Sequence, residues 1–202
     1  MKKLAKILFV LTIFLTSINA KAEDTNMTNK KALVVYFSKT GEQYSVGNIT
    51  KGNTAIVAEM IADKTGADIF EVKLKNDNYP KEYEALTKVA LSEKKASARP
   101  EIIGKVENFA EYETVFIGTP NWWADLPMAL YTFMEQYDWS DKTIAPFVTH
   151  EGSGLSSIPA KIKTTTNPKA MLEGLAIYGH VAQNSQDEAK QDVETWLKKI
   201  GF

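Results

Sequence analysis

The sequence predicts an α/β fold in three layers: a five-stranded parallel sheet with helices on both faces. Three observations point to it. Short apolar runs recur at 31–37, 68–74, 114–118, 144–148 and 175–178. Stretches of helical patterning or composition separate them. The first, third and fourth runs are continuously apolar, as strands covered on both faces are. Strands alternating with helices in this way give parallel pairing through crossover connections.

Lys31 to Phe37 reads as a buried strand that ends abruptly in Ser38-Lys39-Thr40-Gly41. Gly52-Asn53-Thr54 then opens a helix carrying Ile56, Val57, Met60 and Ile61, with Asn53 as its expected cap and Gly66 as its stop. Asp68 to Leu74 is the second strand. Tyr79-Pro80 restarts the chain, and Lys81 to Lys95 is helical in composition. Arg99 to Val106 is linking structure. Thr114 to Gly118 is the third strand, followed by a helix expected to start at Asp125 and Pro127, with Leu130, Phe133, Met134 and Tyr137 on one face. Ile144 to Val148 is the fourth strand; Pro146 within it predicts a bulge or a missing ladder bond. A short helix and the strand Leu175 to Tyr178 follow. Ser185 and Glu188 form an expected capping box for a last helix with Val193, Trp196, Leu197 and Ile200 on its stripe.

The segment 1–22 reads as a secretory signal rather than as part of the fold. Lys2, Lys3 and Lys6 precede an apolar run from Ile7 to Leu15, and Ala20-Lys21-Ala22 fits cleavage before Glu23. Residues 23–30 form a polar leader, and 31–202 form one domain. An uncleaved membrane anchor is the alternative, but the run is shorter than the roughly 20 apolar residues that a spanning helix needs. Cleavage removes four lysines and no acid, leaving 20 basic and 25 acidic residues, a net charge of −5. That balance, with no basic cluster, argues against nucleic acid and for protein partners with a positive patch. The expected location is periplasmic or secreted. The absence of cysteine excludes disulfides, thiolate nucleophiles and Cys-ligated metal centres. His150 and His180 lie far apart in sequence and offer little for a metal.

In an open parallel sheet, ligands bind beyond the carboxyl ends of the strands. Three loops there have unusual composition: 38–54, 119–125 and 149–154. The first places hydroxyls and free amides at a helix N-terminus, which suits a phosphate without any cationic side chain. The second carries Trp122 and Trp123. The third is glycine-rich and polar. A phosphate cradle beside indole surfaces suggests a phosphorylated, flat, aromatic ligand.

Ser38-Lys39-Thr40-Gly41 with Asn53-Thr54 resembles the flavodoxin phosphate motif S-x-T-G-N-T, split by an insertion. Thr119-Pro120-Asn121-Trp122-Trp123 resembles the first flavin-flanking loop of that family, and Thr149 to Gly154 the second. The similarity runs from Lys31 to the C-terminus. It implies a flavodoxin-like sheet of order 2-1-3-4-5 with FMN as cofactor. It also implies that Ser38, Thr40, Asn53 and Thr54 hold the phosphate, with Lys39 and Gly41 contributing backbone. Trp122 or Trp123 would flank the isoalloxazine, on a wall shaped by Thr119, Pro120 and Asn121. Thr149, Glu151, Gly152, Ser153 and Gly154 would border the polar edge of the ring.

Two departures stand out. The insertion Glu42 to Gly52, with Tyr44 and Gly47, is either a flap over the flavin or a surface excursion. The 119–125 loop lacks glycine, where many flavodoxins turn a glycine peptide toward reduced flavin N5; this argues against strict one-electron behaviour. The resemblance implies an electron carrier between protein partners. The alternatives are an FMN-dependent NAD(P)H:quinone-type reductase, for which no G-x-G-x-x-G fingerprint is present, and an exported non-redox binding module. His150 reads as a loop residue beside the ring edge, and His180, Trp139 and Trp196 as structural. Glu107, Glu111 and Glu113 read as a solvated stretch.

Overall fold

The computed structural model describes residues 31–202. The predicted signal peptide, its cleavage point and the leader 23–30 lie outside the described residues. Strand β1 spans Ala32–Tyr36 and runs into a small hairpin of β2 (Gly41–Gln43) and β3 (Gly47–Ile49). Helix α1 (Asn53–Thr65) follows, then β4 (Asp68–Glu71), β5 (Lys73–Leu74) and α2 (Tyr83–Ala96). Next come β6 (Ile102–Ile103), β7 (Thr114–Pro120), α3 (Met128–Met134), β8 (Thr143–His150) and α4 (Ile158–Thr166). The chain closes with β9 (Ala170–Met171), β10 (Leu175–Tyr178), α5 (Gly179–Asn184) and α6 (Gln186–Ile200).

The central sheet runs β4-β1-β7-β8-β10, all parallel, with β9 pairing β8 at its start. Counting only the five main strands, this is the order 2-1-3-4-5, as expected. All five residues of β1 are buried, and they alternate between two cores. Leu33 and Val35 enter the core shared with α2, α3 and α4. Ala32, Val34 and Tyr36 enter the core shared with α1, α5 and α6. A strand apolar on both sides therefore requires the three layers that its sequence pattern predicted. Gly118 sits opposite Phe147 in register, and a Cβ there would lie 2.1 Å from that ring. The missing side chain makes room for the aromatic ring in the sheet centre.

Several local expectations are corrected. The second strand is broken at Val72: its N–H still reaches Tyr36 O at 2.8 Å, but Lys73 and Leu74 leave to pair antiparallel with β6. The main sheet ends there, so Ile69 is exposed on an edge strand. Asn53 is the first helical residue, not the cap; Gly52 holds the cap position. Ser185 caps α6 by position, yet no side-chain bond of a capping box forms. Helix α3 starts at Met128, so Asp125 precedes it, and it ends before Tyr137. Tyr137 still packs on Phe133 and receives the Val106 N–H on its hydroxyl at 2.7 Å. Pro146 causes no bulge, because the pairing of β8 with β7 continues through it. The Ile144 carbonyl accepts from Leu172 on the other side, and Pro146 has its amide position on that same side, between the stretches that pair with β9 and β10. The missing ladder bond is the correct reading.

Candidate functional site

Three loops converge at the carboxyl ends of β1, β7 and β8. After β1, Phe37 N–H still bonds Gly118 O, and the chain then leaves the sheet. Ser38 Oγ accepts the Ala55 N–H at 3.1 Å, doing for α1 what an N-cap side chain would do. Gly52 is held close beneath it: a Cβ there would fall 2.1 Å from Ser38 Oγ and 2.8 Å from Lys39 O. The Ile56 N–H goes to Gly52 O. The amides of Asn53 and Thr54, in the first turn, have no acceptor among the described residues, as helix starts leave them. Thr54 is buried, and its hydroxyl meets that of Thr149 at 2.7 Å, tying the first loop to the third. Asn53 Oδ1 accepts from Gln183 Nε2 at 2.8 Å. Lys39 points its ammonium at Asp77, 2.9 Å away, over the Tyr79 ring. Its charge is neutralised there, so its part in the loop is its backbone.

The insertion is the β2–β3 hairpin, docked on the start of α2. Gly41 has φ +98°, and a Cβ would sit 2.8 Å from Lys81 O, so both the backbone and the close approach require glycine. Glu42 N–H donates to Lys81 O at 2.8 Å, and the Glu42 carboxylate accepts the Tyr83 N–H at 2.9 Å. The Tyr44 and Tyr83 rings lie 5.7 Å apart.

The second loop has no glycine, yet Trp123 and Ala124 both adopt φ +57°. Side chains hold this strained pair in place. Trp122 and Asp125 exchange two backbone bonds of 3.0 Å. The Trp123 carbonyl accepts from Lys94 Nζ at 2.6 Å, and the Ala124 carbonyl from Ser157 Oγ at 2.8 Å. Asn121 Oδ1 takes the Ala124 N–H, while its Nδ2 donates to Gly154 O and Ser156 Oγ. Asp125, 3% exposed, is the hub. One oxygen accepts from Leu126 N–H and Tyr131 OH; the other faces Lys161 at 3.0 Å and Lys94 at 3.6 Å. Burial, then the bond to Asp125, pushes the Tyr131 hydroxyl well above its ordinary pKa. Trp122 stacks edge-on with Phe37 and Tyr79 at 5.5 and 5.4 Å. Trp123 is 49% exposed, with its indole N–H on Thr87 O.

The third loop brings the two histidines together. His150 and Tyr178 are register partners on β8 and β10, and His180 follows just beyond Gly179. The Tyr178 ring lies 4.4 Å from His150 and 5.1 Å from His180. His180 is half exposed: its ring meets Glu151 Oε2 at 2.8 Å while its backbone N–H donates to Oε1. Glu151 thus caps α5, a helix the sequence reading missed. The Gly152 N–H donates to His150 Nδ1 at 2.9 Å, which leaves Nε2 to carry the proton of the neutral ring. Burial holds the His150 pKa below the usual imidazole range, against the opposing charge of Glu151. No cluster of three or more His, Cys, Asp or Glu side chains placed to hold a metal occurs among the described residues.

Between these loops lies a cavity of about 240 Å³. Of the expected residues, Asn53, Pro120, Asn121, Trp122, Trp123, Thr149, Glu151 and Ser153 line it. Ser38, Lys39, Thr40, Gly41, Thr54, Thr119, Gly152 and Gly154 do not. His150, expected beside the ring edge, is a wall residue; Tyr44 of the insertion, read as either a flap or a surface excursion, lines the cavity too, and sequence reasoning missed Gln43. It missed the α2 wall as well: Tyr83, Leu86, Thr87 and Ala90. Their spacing of i, i+3, i+4, i+7 was a visible signal of one helix face, but nothing in it distinguished a cavity from a core.

The fold and this arrangement can be set beside known proteins. No curated protein sequence matches the chain. A Bacteroides eggerthii protein assigned as a flavoprotein superposes with a TM-score of 0.65 at 27% identity, over 85% of this chain and 98% of its own. A similarly assigned Bacteroides uniformis protein gives 0.62 at 28% identity, over 81% and 97%. A flavoprotein from Lactobacillus acidophilus NCFM, solved in complex with FMN, gives 0.59 at 20% identity, over 83% and 98%, which speaks to the fold alone. The Flavodoxin family profile matches residues 31–200, nearly the whole described chain. With that match, the 2-1-3-4-5 sheet and three loops converging on one cavity, the chain belongs to the flavodoxin family.

Proposed function

We propose that this protein is an FMN-binding redox carrier that exchanges electrons with protein partners at the aromatic mouth of its cavity. FMN is the cofactor, as in the family to which the chain belongs. The residues fit it. The Gly52–Ser38 contact leaves no room for a side chain in the cradle, and the open amides of Asn53 and Thr54 lie at a helix start, where a phosphate dianion is favoured. Ser38, Thr40, Asn53 and Thr54 would hold the phosphate, while Trp122, Trp123 and the 149–153 loop would enclose the ring. The bound flavin supplies the redox chemistry; the protein binds it, orients it and limits water around it.

One juxtaposition carries this reading. A cavity that reaches the phosphate-suited helix start at Asn53 is lined by exposed aromatic side chains, Trp123 at 49% and Tyr44 at 58%. Such a rim suits brief contact with a partner over an electron-transfer distance. The mature net charge of −5 favours a partner with a basic face. The signal-like segment supports export, with FMN acquired outside. Among the described residues, no helix is long and apolar enough to cross a membrane.

A second reading, an FMN-dependent NAD(P)H:quinone-type reductase, is favoured by the locked second loop. The carbonyls of Trp123 and Ala124 are both engaged, so neither peptide is free to turn as the flavin changes redox state. One anaerobic experiment separates the two. The FMN-loaded protein is mixed with NADPH alone, then with NADPH plus a ferredoxin–NADP⁺ reductase. A carrier keeps its visible flavin absorbance with NADPH alone and bleaches when the reductase is added. Rapid bleaching by NADPH alone, reversed by a quinone, would overturn the carrier reading in favour of the reductase.

A further inference from the structure

Gln43 carries the one shielded side-chain nitrogen or oxygen without a hydrogen-bond partner among the described residues, its Nε2. A buried amide donor left unpaired carries a desolvation penalty with nothing set against it, and native structures rarely tolerate one without a reason. The same side chain lines the cavity, in the company of Tyr44, Asn53, Tyr83 and Trp122. Its placement is built. Glu42, its chain neighbour, is pinned to α2 by its amide on Lys81 O and its carboxylate on Tyr83 N–H. Strand alternation then turns Gln43 to the opposite face from Glu42. Other polar groups of the wall are already engaged: the Asn121 amide by Gly154 and Ser156, the Glu151 carboxylate by His180, and the Asn53 carbonyl oxygen by Gln183. The terminal torsion of a glutamine is broad, so its N–H can turn onto a ligand with no change in the backbone.

We propose that Gln43 recognises the flavin ring system, donating its Nε2–H to a ring oxygen or nitrogen, and that the inserted hairpin Gly41–Ile49 is thereby part of the cofactor site. This rests on the FMN reading above. The ring, not the phosphate, is the partner because, of the residues assigned to the phosphate, Ser38, Thr40 and Thr54 lie outside the cavity that Gln43 lines and Asn53 alone reaches it, whereas both tryptophans line it.

The test uses the apo form of the full chain, titrated with FMN and with riboflavin by fluorescence quenching, alongside calorimetry of the apo protein. Gln43→Leu should raise the Kd for both flavins by the same factor, about 5- to 10-fold for one lost hydrogen bond. It should leave the apo Tm equal to or above that of the wild type, since leucine removes an orphaned donor. Gln43→Glu keeps the volume but replaces the donor with a carboxylate, and should weaken both flavins further. An unchanged Kd in both variants, with or without a fall in Tm, would overturn the proposal. So would a loss confined to FMN, which would put the contact at the phosphate. A wild-type protein that binds neither flavin would overturn the cofactor reading along with it.

Discussion

Gly52→Ala is expected to weaken FMN binding by about 100-fold or more, on the scale of two lost charge-assisted hydrogen bonds. The cause is steric and local. Gly52 has φ −70°, so its conformation suits any residue, and the obstacle is space alone. The new Cβ would meet Ser38 Oγ at 2.1 Å, Lys39 O at 2.8 Å and Lys39 N at 3.0 Å. Ser38 could rotate away, but only by giving up the Ala55 N–H, a helix cap worth about 1 kcal/mol. The Lys39 atoms are backbone and cannot rotate out of the way. The loop must therefore move off the helix start, and the amides proposed to hold the phosphate would diverge. Overpacking of this kind costs the fold about 1–3 kcal/mol, so the variant should still fold. Flavin titration and thermal unfolding of the same sample separate the two effects. FMN affinity within a few-fold of the wild type would mean that the cradle does not hold the phosphate.

The second large effect is expected at Asp125. Asp125→Ala should destabilise the protein by about 2–4 kcal/mol, near the range for breaking a buried ion pair but reduced because its lysines are partly solvated. Lys94 and Lys161 are about one-third exposed, so water recovers part of their charge. The Tyr131 hydroxyl and the Leu126 N–H recover less, because both are tied to a buried carboxylate oxygen. The larger consequence is for the loop. Trp123 and Ala124 sit at φ +57° without glycine, each at a cost of about 1 kcal/mol, and the Asp125 carboxylate faces Lys94, whose ammonium holds the Trp123 carbonyl. Loss of the carboxylate should release Trp123 and lower FMN affinity as well. Asp125→Asn keeps one carbonyl acceptor for Tyr131 and Leu126, so it should lose only about half as much stability. Chemical denaturation followed by tryptophan fluorescence measures both variants. If the stability of Asp125→Ala matches the wild type to within the small change typical of a surface substitution, the carboxylate is not the hub of the loop.

The strands were legible because burial on two faces leaves no polar position to confuse the pattern: β1 and β7 read directly from their apolar runs. The strand order was not legible from pattern alone, since alternation says parallel and nothing about which strand lies beside which; it came from the resemblance. The three loops were legible as candidates, because hydroxyls, tryptophans and glycines are unusual at strand ends. Their internal wiring was not. Ser38 caps a helix that begins only at Asn53, beyond the whole inserted hairpin, and no local window holds both ends of that bond. Trp123 and Ala124 in left-handed backbone carry no glycine or asparagine to announce it. His150 and His180 belong to distant parts of the chain and come to flank one tyrosine only because β8 and β10 pair. Gln43 gave no signal either: a glutamine in an insertion reads as solvated until the fold buries its amide.

The wild-type apo protein, titrated side by side with FMN and riboflavin, addresses the phosphate cradle without any substitution. The two ligands share the ring and the ribityl chain and differ only in the phosphate. Open amides and hydroxyls at the start of α1 should make FMN bind about 100-fold more tightly than riboflavin, or better. Equal affinities would contradict the cradle, because the phosphate would then contribute nothing where the first strand meets its helix.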